Sequence, residues 1–382
     1  MNYLLLGIVL IRRKSCFFYE GRQIRKAFLL FIGYLFIINL LKNDPIDALS
    51  FFLGALPFPF IMNAFASKNE EAKIVDFFIK FYLVYTSVFS LLQIAGYPLT
   101  SGAILSNLEF IKTEYGYSGV SSQGLRITGA DMNSVWYACI LGMIFIYYYF
   151  HYTETRKKSK LLVAIFSLVL LLLTQSRAAI FSLFPVIIIT EVIIRGRFKK
   201  QIGLWSSVVV GLLVIYFIIY PFLLQEFPRL FLRINEDGSV IHRIQANVYG
   251  SVGTLKTSPL FGVSFKEGLE MMRIGYKTIG LFIGNYFIET VTHHNQPLYY
   301  LRYYGLIGLV LFLAVYYHMY KFARSKENSS LTQKILVAII LFHFAYTLTH
   351  NNKITMDYFL FIMIAFKEVR NTEPLDHIPN IL

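Results

Sequence analysis

Apolar segments long enough to cross a membrane recur along almost the whole chain, and they restrict the fold more than any other feature. Hydrophobic residues make up 56% of the sequence and charged residues only 15%. A backbone that crosses lipid must satisfy its own hydrogen bonds, so it forms either helices or a closed barrel. These runs are too long and too uniformly apolar for alternating barrel strands. The sequence therefore predicts an all-α polytopic membrane protein.

We expect about 10–11 transmembrane helices that form a single membrane domain over residues 1–382. The predicted helices are 27–41, 46–65, 74–97, 133–152, 161–174, 178–194, 202–224, 296–320, 331–348 and 354–366. The apolar stretch 3–11 is shorter than the roughly 20 residues that a span usually needs, so it is either a thin or clipped helix or an interfacial segment. A basic cluster follows this stretch instead of preceding it, which argues against a cleaved signal peptide.

The basic residues predict how the helices are oriented. If the helices alternate, one side of the membrane receives every Lys and Arg cluster, namely 12–26, 156–160, 195–200, 321–326 and 367–370. That side is cytoplasmic by the positive-inside rule. The connectors 42–45, 98–132, 175–177, 225–295 and 349–353 then face outward. Residues 225–295 form a large extracytoplasmic loop, and a connection of that length usually carries function.

Charge, cysteine content and motifs exclude several classes of protein. The net charge of +14 lies mostly in short cytoplasmic turns, where it anchors the protein, so no nucleic-acid partner is expected. Cys16 and Cys139 provide neither a disulfide framework nor a thiolate metal site. The chain contains neither a Walker loop nor a dinucleotide fingerprint, which disfavours a nucleotide-using enzyme or an ATP-driven pump. No cofactor is expected.

The large loop is predicted to contain short helices. The stretch 240–255 has helical spacing, with apolar residues on one side that could lie on the membrane surface or on neighbouring helices. These residues are Ile241, Ile244, Val248, Val252 and Leu255. Ser258 and Pro259 end this helix, and Gly262 permits the turn that follows.

Three outward-facing arginines are candidates for binding phosphate. Arg177 lies in the tight turn 175–177, Arg126 precedes the helix that begins near residue 133, and Arg243 belongs to the loop helix. A guanidinium group stays charged and matches phosphate oxygens with its planar donors, so several at one depth could clamp a diphosphate. For Arg177 we favour this role, because a two-span hairpin has no structural need for a cation at its outer tip. Arg126 and Arg243 fit an interfacial snorkelling role equally well.

Two adjacent histidines precede the helix 296–320. His293 and His294 can titrate near neutral pH, so either could act as a general base. The alternative role is hydrogen bonding at the start of that helix, where Asn295 is a typical N-cap residue. No carboxylate or further histidine stands at a spacing that would complete a metal site, so no metal is predicted.

Five short motifs together resemble the O-antigen polymerase and ligase superfamily, over roughly residues 126–317. They are Leu-Arg-Ile-Thr-Gly at 125–129, Leu-Thr-Gln-Ser-Arg-Ala-Ala at 173–179, Pro-Leu-Phe-Gly-Val at 259–263, His-Asn at 294–295 and Tyr-Gly-Leu-Ile-Gly at 304–308. The order of the motifs, the long loop before the last spans and the chain length carry this resemblance.

The resemblance implies an integral membrane glycosyltransferase of the GT-C-like type on the outer face of the bacterial cytoplasmic membrane. Such enzymes take a glycan from undecaprenyl diphosphate and need neither nucleotide nor metal. We hypothesise that Arg177, with Arg126 and Arg243, binds the diphosphate, and that His294 or His293 activates the acceptor hydroxyl in one inverting displacement. Ser176 and Asn295 are expected to support these groups.

The same donor serves two activities that differ in the acceptor. We favour a polymerase for O-antigen, capsule or exopolysaccharide, whose acceptor is a second lipid-linked repeat unit; the alternative is a ligase that modifies lipid A core. The expected partners are the lipid-linked donor and acceptor, the lipid bilayer and, as a further candidate, a chain-length regulator. A secondary transporter is an alternative of another class, but its ionisable groups would be expected near the bilayer midplane. Here Lys80, Glu191 and Asp357 lie near helix ends.

Overall fold

The computed structural model describes much of the chain, and its described parts are almost entirely helical. The described residues are 22–43, 45–55, 71–94, 120–121, 124–125, 127–129, 134–174, 176–195, 238–280, 295–325 and 328–349. The helices are α1 (Arg22–Lys42), α2 (Pro45–Ala55), α3 (Glu71–Ile94), α4 (Ser134–Thr155), α5 (Lys158–Leu173), α6 (Arg177–Arg195), α7 (Gly238–Thr257), a 3₁₀ turn (Phe265–Glu267), α8 (Gly268–Ile279), α9 (Gln296–Ala323) and α10 (Ser330–Thr347). The short strands β1 (Val120–Ser121) and β2 (Gly124–Leu125) pair in antiparallel fashion.

The all-α polytopic membrane fold is confirmed. Within the described residues, helices long and apolar enough to cross a membrane are Gln23–Lys42, Val135–Thr155, Gln296–Ala323 and Ser330–Thr347. Shorter apolar helices cover Ile79–Ile94 and Ala178–Ile194. The stretch 3–11 and the predicted helices 202–224 and 354–366 lie outside the described residues, and the predicted helix 46–65 is described only as far as Ala55.

Helix α4 forms the centre of the bundle. Its residues from Tyr137 to Tyr148 are almost all buried, including Tyr147. A helix that is apolar on every side is stable only when neighbours surround it, and α4 packs against α5, α6 and α10. On a second side of the bundle, α1 packs against α9 and α2.

Ion pairs bring together the helix ends that the predicted alternation places on one side of the membrane. At one end, Asp76 at the start of α3 forms ion pairs with Lys80 and with Lys160 of α5, both at 2.7 Å. The buried Lys334 of α10 pairs with Glu154 of α4 at the same end. The opposite end, which we call the loop end, carries the end of α1, the α5–α6 turn, the start of α9 and the end of α10.

Helix α9 is broken at Gly305. This glycine has φ 68° and ψ −168°, a conformation outside the helical region. Two carbonyls of the loop replace the helical bonds that the break removes: Leu306 N donates to Pro259 O at 2.8 Å, and Ile307 N donates to Leu260 O at 3.4 Å. The break is therefore built from two segments that are distant in sequence.

Helices α7 and α8 form a tightly packed hairpin, which we call the loop hairpin. A side chain at Gly253 or at Gly275 would overlap the backbone of the facing helix, so these glycines allow the close approach. The predicted helix 240–255 is confirmed. The face that packs inside the protein contains Ala246 and Tyr249. On the predicted apolar face, Val248 is 36% exposed and Leu255 is 41% exposed, which fits the membrane surface, one of its two predicted placements.

Candidate functional site

The α5–α6 turn is joined to two other helices through a buried pair of hydroxyl groups. Ser176, which is 3% exposed, lies in this turn. Its hydroxyl is 3.2 Å from the hydroxyl of Tyr346, near the end of α10. Tyr346 donates in turn to the carbonyl of Val135, at the start of α4, at 2.7 Å. The residue that precedes Arg177 is thereby fixed against both α4 and α10.

Asn295 joins the start of α9 to the end of α10. Its side-chain oxygen accepts a hydrogen bond from Leu298 N at 2.9 Å, which caps the helix as predicted. Its side-chain nitrogen donates to the carbonyl of Leu348 at 2.7 Å. Leu348 lies two positions after Tyr346. The beginning of α9 and the α5–α6 turn therefore both contact the last turn of α10.

The segment 127–129 is held against the same turn. Ile127 N donates to Leu173 O, the last residue of α5, at 3.3 Å. Gln93 of α3 accepts from Thr128 N at 2.9 Å and donates to Gly129 O at 2.9 Å. The bonds of Gln93 therefore hold this segment against α3, and the bond of Ile127 holds it against the end of α5.

The predicted site residues are described to different extents. Arg177 is the first residue of α6, and Arg243 lies within α7; the backbone of each is described but the side chain is not. Arg126, His293 and His294 lie outside the described residues. The predicted supporting residues Ser176 and Asn295 are described, and both contact α10 at the loop end. Ile127, Ser176 and Asn295 are the chain neighbours of Arg126, Arg177 and His294.

The motif at 259–263 meets the motif at 304–308 through their glycines. Gly262 has φ 70°, and a side chain there would overlap the backbone of Tyr303 and Tyr304. A side chain at Gly305 would overlap the backbone of Leu260. The two motifs are separate in the sequence but form one structural unit. Each glycine makes room for the backbone of the other segment.

Arg302 holds the loop hairpin on α9, and it was not among the predicted site residues. Its side chain is fully buried. Its guanidinium donates to the carbonyls of Gly268 in α8 and Ala246 in α7, and it lies 5.7 Å from the centre of the Tyr303 ring. An arginine inside an otherwise apolar helix was the available signal, because such a charge is retained only with several acceptors.

His343 was also overlooked. It is fully buried between α10 and α9, where its Nδ1 is 2.7 Å from the hydroxyl of Tyr316. This contact joins α10 to α9. The described parts of the chain contain no group of three or more His, Cys, Asp or Glu residues arranged to hold an ion, and His293 and His294 lie outside those parts.

The central part of the chain matches a known protein family. Residues 162–313 match the family model described as O-antigen ligase. This region includes Ser176, Arg177, the loop hairpin and the break in α9. A comparison with curated proteins gave no match. The family match confirms, over residues 162–313, the resemblance to the O-antigen polymerase and ligase superfamily that was seen in the sequence.

Proposed function

We propose that this protein is a polysaccharide polymerase of the bacterial cytoplasmic membrane, with its active site on the extracytoplasmic face. It transfers a growing glycan from undecaprenyl diphosphate to a hydroxyl of an incoming lipid-linked repeat unit. The family match supports the broader class, which is O-antigen polymerase or ligase. The observation that carries the proposal is that Ser176 and Asn295 both bond to the end of α10, Ser176 to Tyr346 and Asn295 to Leu348. It brings together the chain neighbours of the proposed phosphate-binding arginine and of the proposed base.

The arginines bind the diphosphate of the donor in this proposal. Arg177 follows Ser176, whose position is fixed by Tyr346. Arg126 precedes Ile127, whose amide is bonded to Leu173 in the same turn. Arg243 belongs to α7, which Arg302 ties to α9. Guanidinium groups from three separate elements would stabilise the negative charge that grows on the diphosphate as the sugar leaves.

The histidine acts on the acceptor. His294, or alternatively His293, accepts the proton of the acceptor hydroxyl while that oxygen attacks the anomeric carbon. The bond between the anomeric carbon and the phosphate oxygen breaks in the same step, and undecaprenyl diphosphate leaves with the bonding electrons. A single displacement of this kind inverts the anomeric configuration. Asn295 supports the arrangement, because it caps α9 and bonds to α10 at the position next to His294.

A ligase is the second candidate, and the description of the matched family favours it. The donor chemistry would be unchanged, and only the acceptor would differ, with lipid A core replacing the second repeat unit. The two activities are therefore separated by supplying both acceptors. Polymerase activity gives a ladder of longer lipid-linked products, whereas ligase activity gives modified lipid A core without such a ladder.

The proposal is tested with purified protein and a defined lipid-linked repeat unit. We expect a ladder of products from the unmodified protein and none from Arg177→Ala or His294→Ala, with both variants inserted and abundant in the membrane. Arg324→Ala is the matched control, because Arg324 contacts Ile193 O at the opposite end of the bundle and should not affect the ladder. Full-length polymer from both variants would show that Arg177 and His294 do not have the roles assigned to them.

A further inference from the structure

The turn at Pro259–Gly262, which we call the Pro–Gly turn, lies beside the C-terminal half of α1. The hydroxyl of Tyr34 donates to Tyr304 O at 2.8 Å and lies 3.5 Å from Leu260 O. Lys42 Nζ donates to Phe261 O at 2.8 Å and to Gly262 O at 2.5 Å. Two residues of α1 therefore hold the turn against the helix, and one of them lies well before the helix end.

These contacts determine the depth of the turn. The candidate span Gln23–Lys42 contains 20 residues, and at 1.5 Å per residue it is about 30 Å long, the thickness of the hydrocarbon core. Lys42 then lies at the membrane edge, and the Cα of Tyr34 lies about 12 Å inside it. Side chains on a helix lean toward its N-terminus, so the Tyr34 hydroxyl is no closer to the edge. The carbonyl of Leu260 lies beside that hydroxyl and is therefore below the edge.

The carbonyl groups of the turn meet the requirement for irregular structure at this depth. Non-helical backbone is tolerated within a membrane only where its polar groups have protein or water partners. The carbonyls of Pro259 and Leu260 accept from the amides at the break in α9, and those of Phe261 and Gly262 accept from Lys42. Each carbonyl of the turn thus has a donor from the protein, including the charged amine of Lys42.

The side chains of the turn face away from the protein. Leu260 is 52% exposed and Phe261 is 49% exposed. On the adjacent part of α1, Ile37 is 55% exposed and Leu41 is 75% exposed. Exposed apolar groups on two neighbouring elements at one depth are typical of a surface that contacts lipid. The lipid-facing surface of α1 therefore continues onto the loop.

Polarity changes where the chain passes the end of α1. Phe265 N donates to the side chain of Asn43 at 3.0 Å, so Phe265 lies level with the first residue after the helix. The next residues, Lys266 and Glu267, are charged and exposed. The chain is thus apolar below the expected membrane edge and charged beyond it.

We propose that the Pro–Gly turn is a re-entrant element whose Leu260 and Phe261 side chains insert among the acyl chains of bilayer phospholipids. This inference concerns a lipid-contact surface and does not depend on the proposed catalytic roles. Insertion would hold the loop hairpin at a fixed height above the membrane, because the turn follows α7 directly and precedes α8.

The test uses single cysteines in a background that lacks Cys16 and Cys139. Leu260→Cys and Phe261→Cys are compared with Lys266→Cys and Glu270→Cys, which replace exposed charged residues. Each variant is labelled with a fluorophore in detergent and reconstituted into phosphatidylcholine vesicles that contain nitroxide-labelled lipid. Unlabelled samples in the same vesicles are treated with a membrane-impermeant maleimide.

We expect the lipid nitroxide to quench fluorophores at positions 260 and 261, and we expect these positions to lose reactivity toward the maleimide. Fluorophores at positions 266 and 270 should not be quenched, and cysteines at these positions should react with the maleimide. Reaction with the maleimide at positions 260 and 261 would show that they face water and would overturn the proposal. Protection from the maleimide without quenching would show that protein covers them, and this result would overturn it as well. The use of two turn positions guards against one variant that fails to fold.

Discussion

The hydroxyl groups of Ser176 and Tyr346 lie 3.2 Å apart, although 170 positions separate these residues in the chain. Tyr346 has one hydroxyl proton and donates it to Val135 O at 2.7 Å, so Ser176 donates to Tyr346. This short chain of bonds joins the turn between α5 and α6 to the end of α10 and to the start of α4. The position of the backbone at Arg177 depends on it.

Replacing Tyr346 with Phe should weaken this junction. The variant keeps the ring but removes the donor to Val135 and the acceptor of Ser176, at a cost of about 1–3 kcal/mol for the buried groups. We expect a lower midpoint of thermal unfolding in detergent and reduced formation of the product ladder. Tyr317→Phe is the control, because Tyr317 is 61% exposed and should tolerate the change. Equal midpoints for the two variants would show that the junction contributes no stability.

Gly305→Ala should disrupt the break in α9. The backbone at Gly305 has a conformation that is close to exclusive to glycine, and imposing it on alanine costs of order 1–3 kcal/mol. The added methyl group would also overlap the backbone of Leu260, which cannot move without breaking its bonds to α9. We expect a lower midpoint of thermal unfolding and faster proteolysis of the loop hairpin.

Gly33→Ala provides the matched control for this prediction. Gly33 lies within α1, and a side chain there would meet no atom within 4 Å. Alanine is favoured over glycine inside a helix by about 1 kcal/mol, so this variant should be as stable as the unmodified protein or more stable. If Gly305→Ala behaved like Gly33→Ala, the interlocking of the two motifs would not contribute to stability.

The capping box at the 3₁₀ turn should respond to acid. Glu267 accepts from Ser264 N at 2.8 Å, and this bond, together with one from the Ser264 hydroxyl, lowers the pKa of Glu267. A lowered pKa in the folded state means that the stabilisation is fully present above the unfolded value of about 4.3 and is lost as the pH falls through the folded value. The effect should stay below about 1 kcal/mol, because the carboxylate is exposed and screened by solvent.

Hydrogen exchange across residues 264–268 measures this local effect. Protection, corrected for the intrinsic exchange rate, should fall as the pH is lowered from neutral to below the unfolded value of about 4.3. Glu267→Gln should show lower protection at neutral pH and little further loss in acid. Glu270→Gln should retain the pH response, since Glu270 lies outside the capping box and 3.8 Å from Arg273. A pH response that persisted in Glu267→Gln would assign it to another group.

Parts of the site could be inferred from sequence because they depend on local chemistry. Asn295 is the N-cap of α9 as expected, since an amide side chain before a helix satisfies a free backbone donor wherever the helix lies. The helix 240–255 was also expected, but the sequence left open whether its apolar face lies on the membrane surface or on neighbouring helices. Its buried face is chosen by the close approach of glycines on α7 and α8, and this choice depends on the partner helix. Arg302 was missed for the same reason, because its acceptors belong to other helices.

The sequence by itself determined that the chain is helical and polytopic, because the hydrophobicity and length of each span are properties of consecutive residues. It also supplied the motifs that carry the resemblance to the O-antigen polymerase and ligase superfamily. Only the tertiary structure decided that the motif around Gly262 packs against the one around Gly305, and that Ser176 and Asn295 both bond to the end of α10. These contacts form because backbone groups left without partners at a helix break or a turn find them in segments that are distant along the chain.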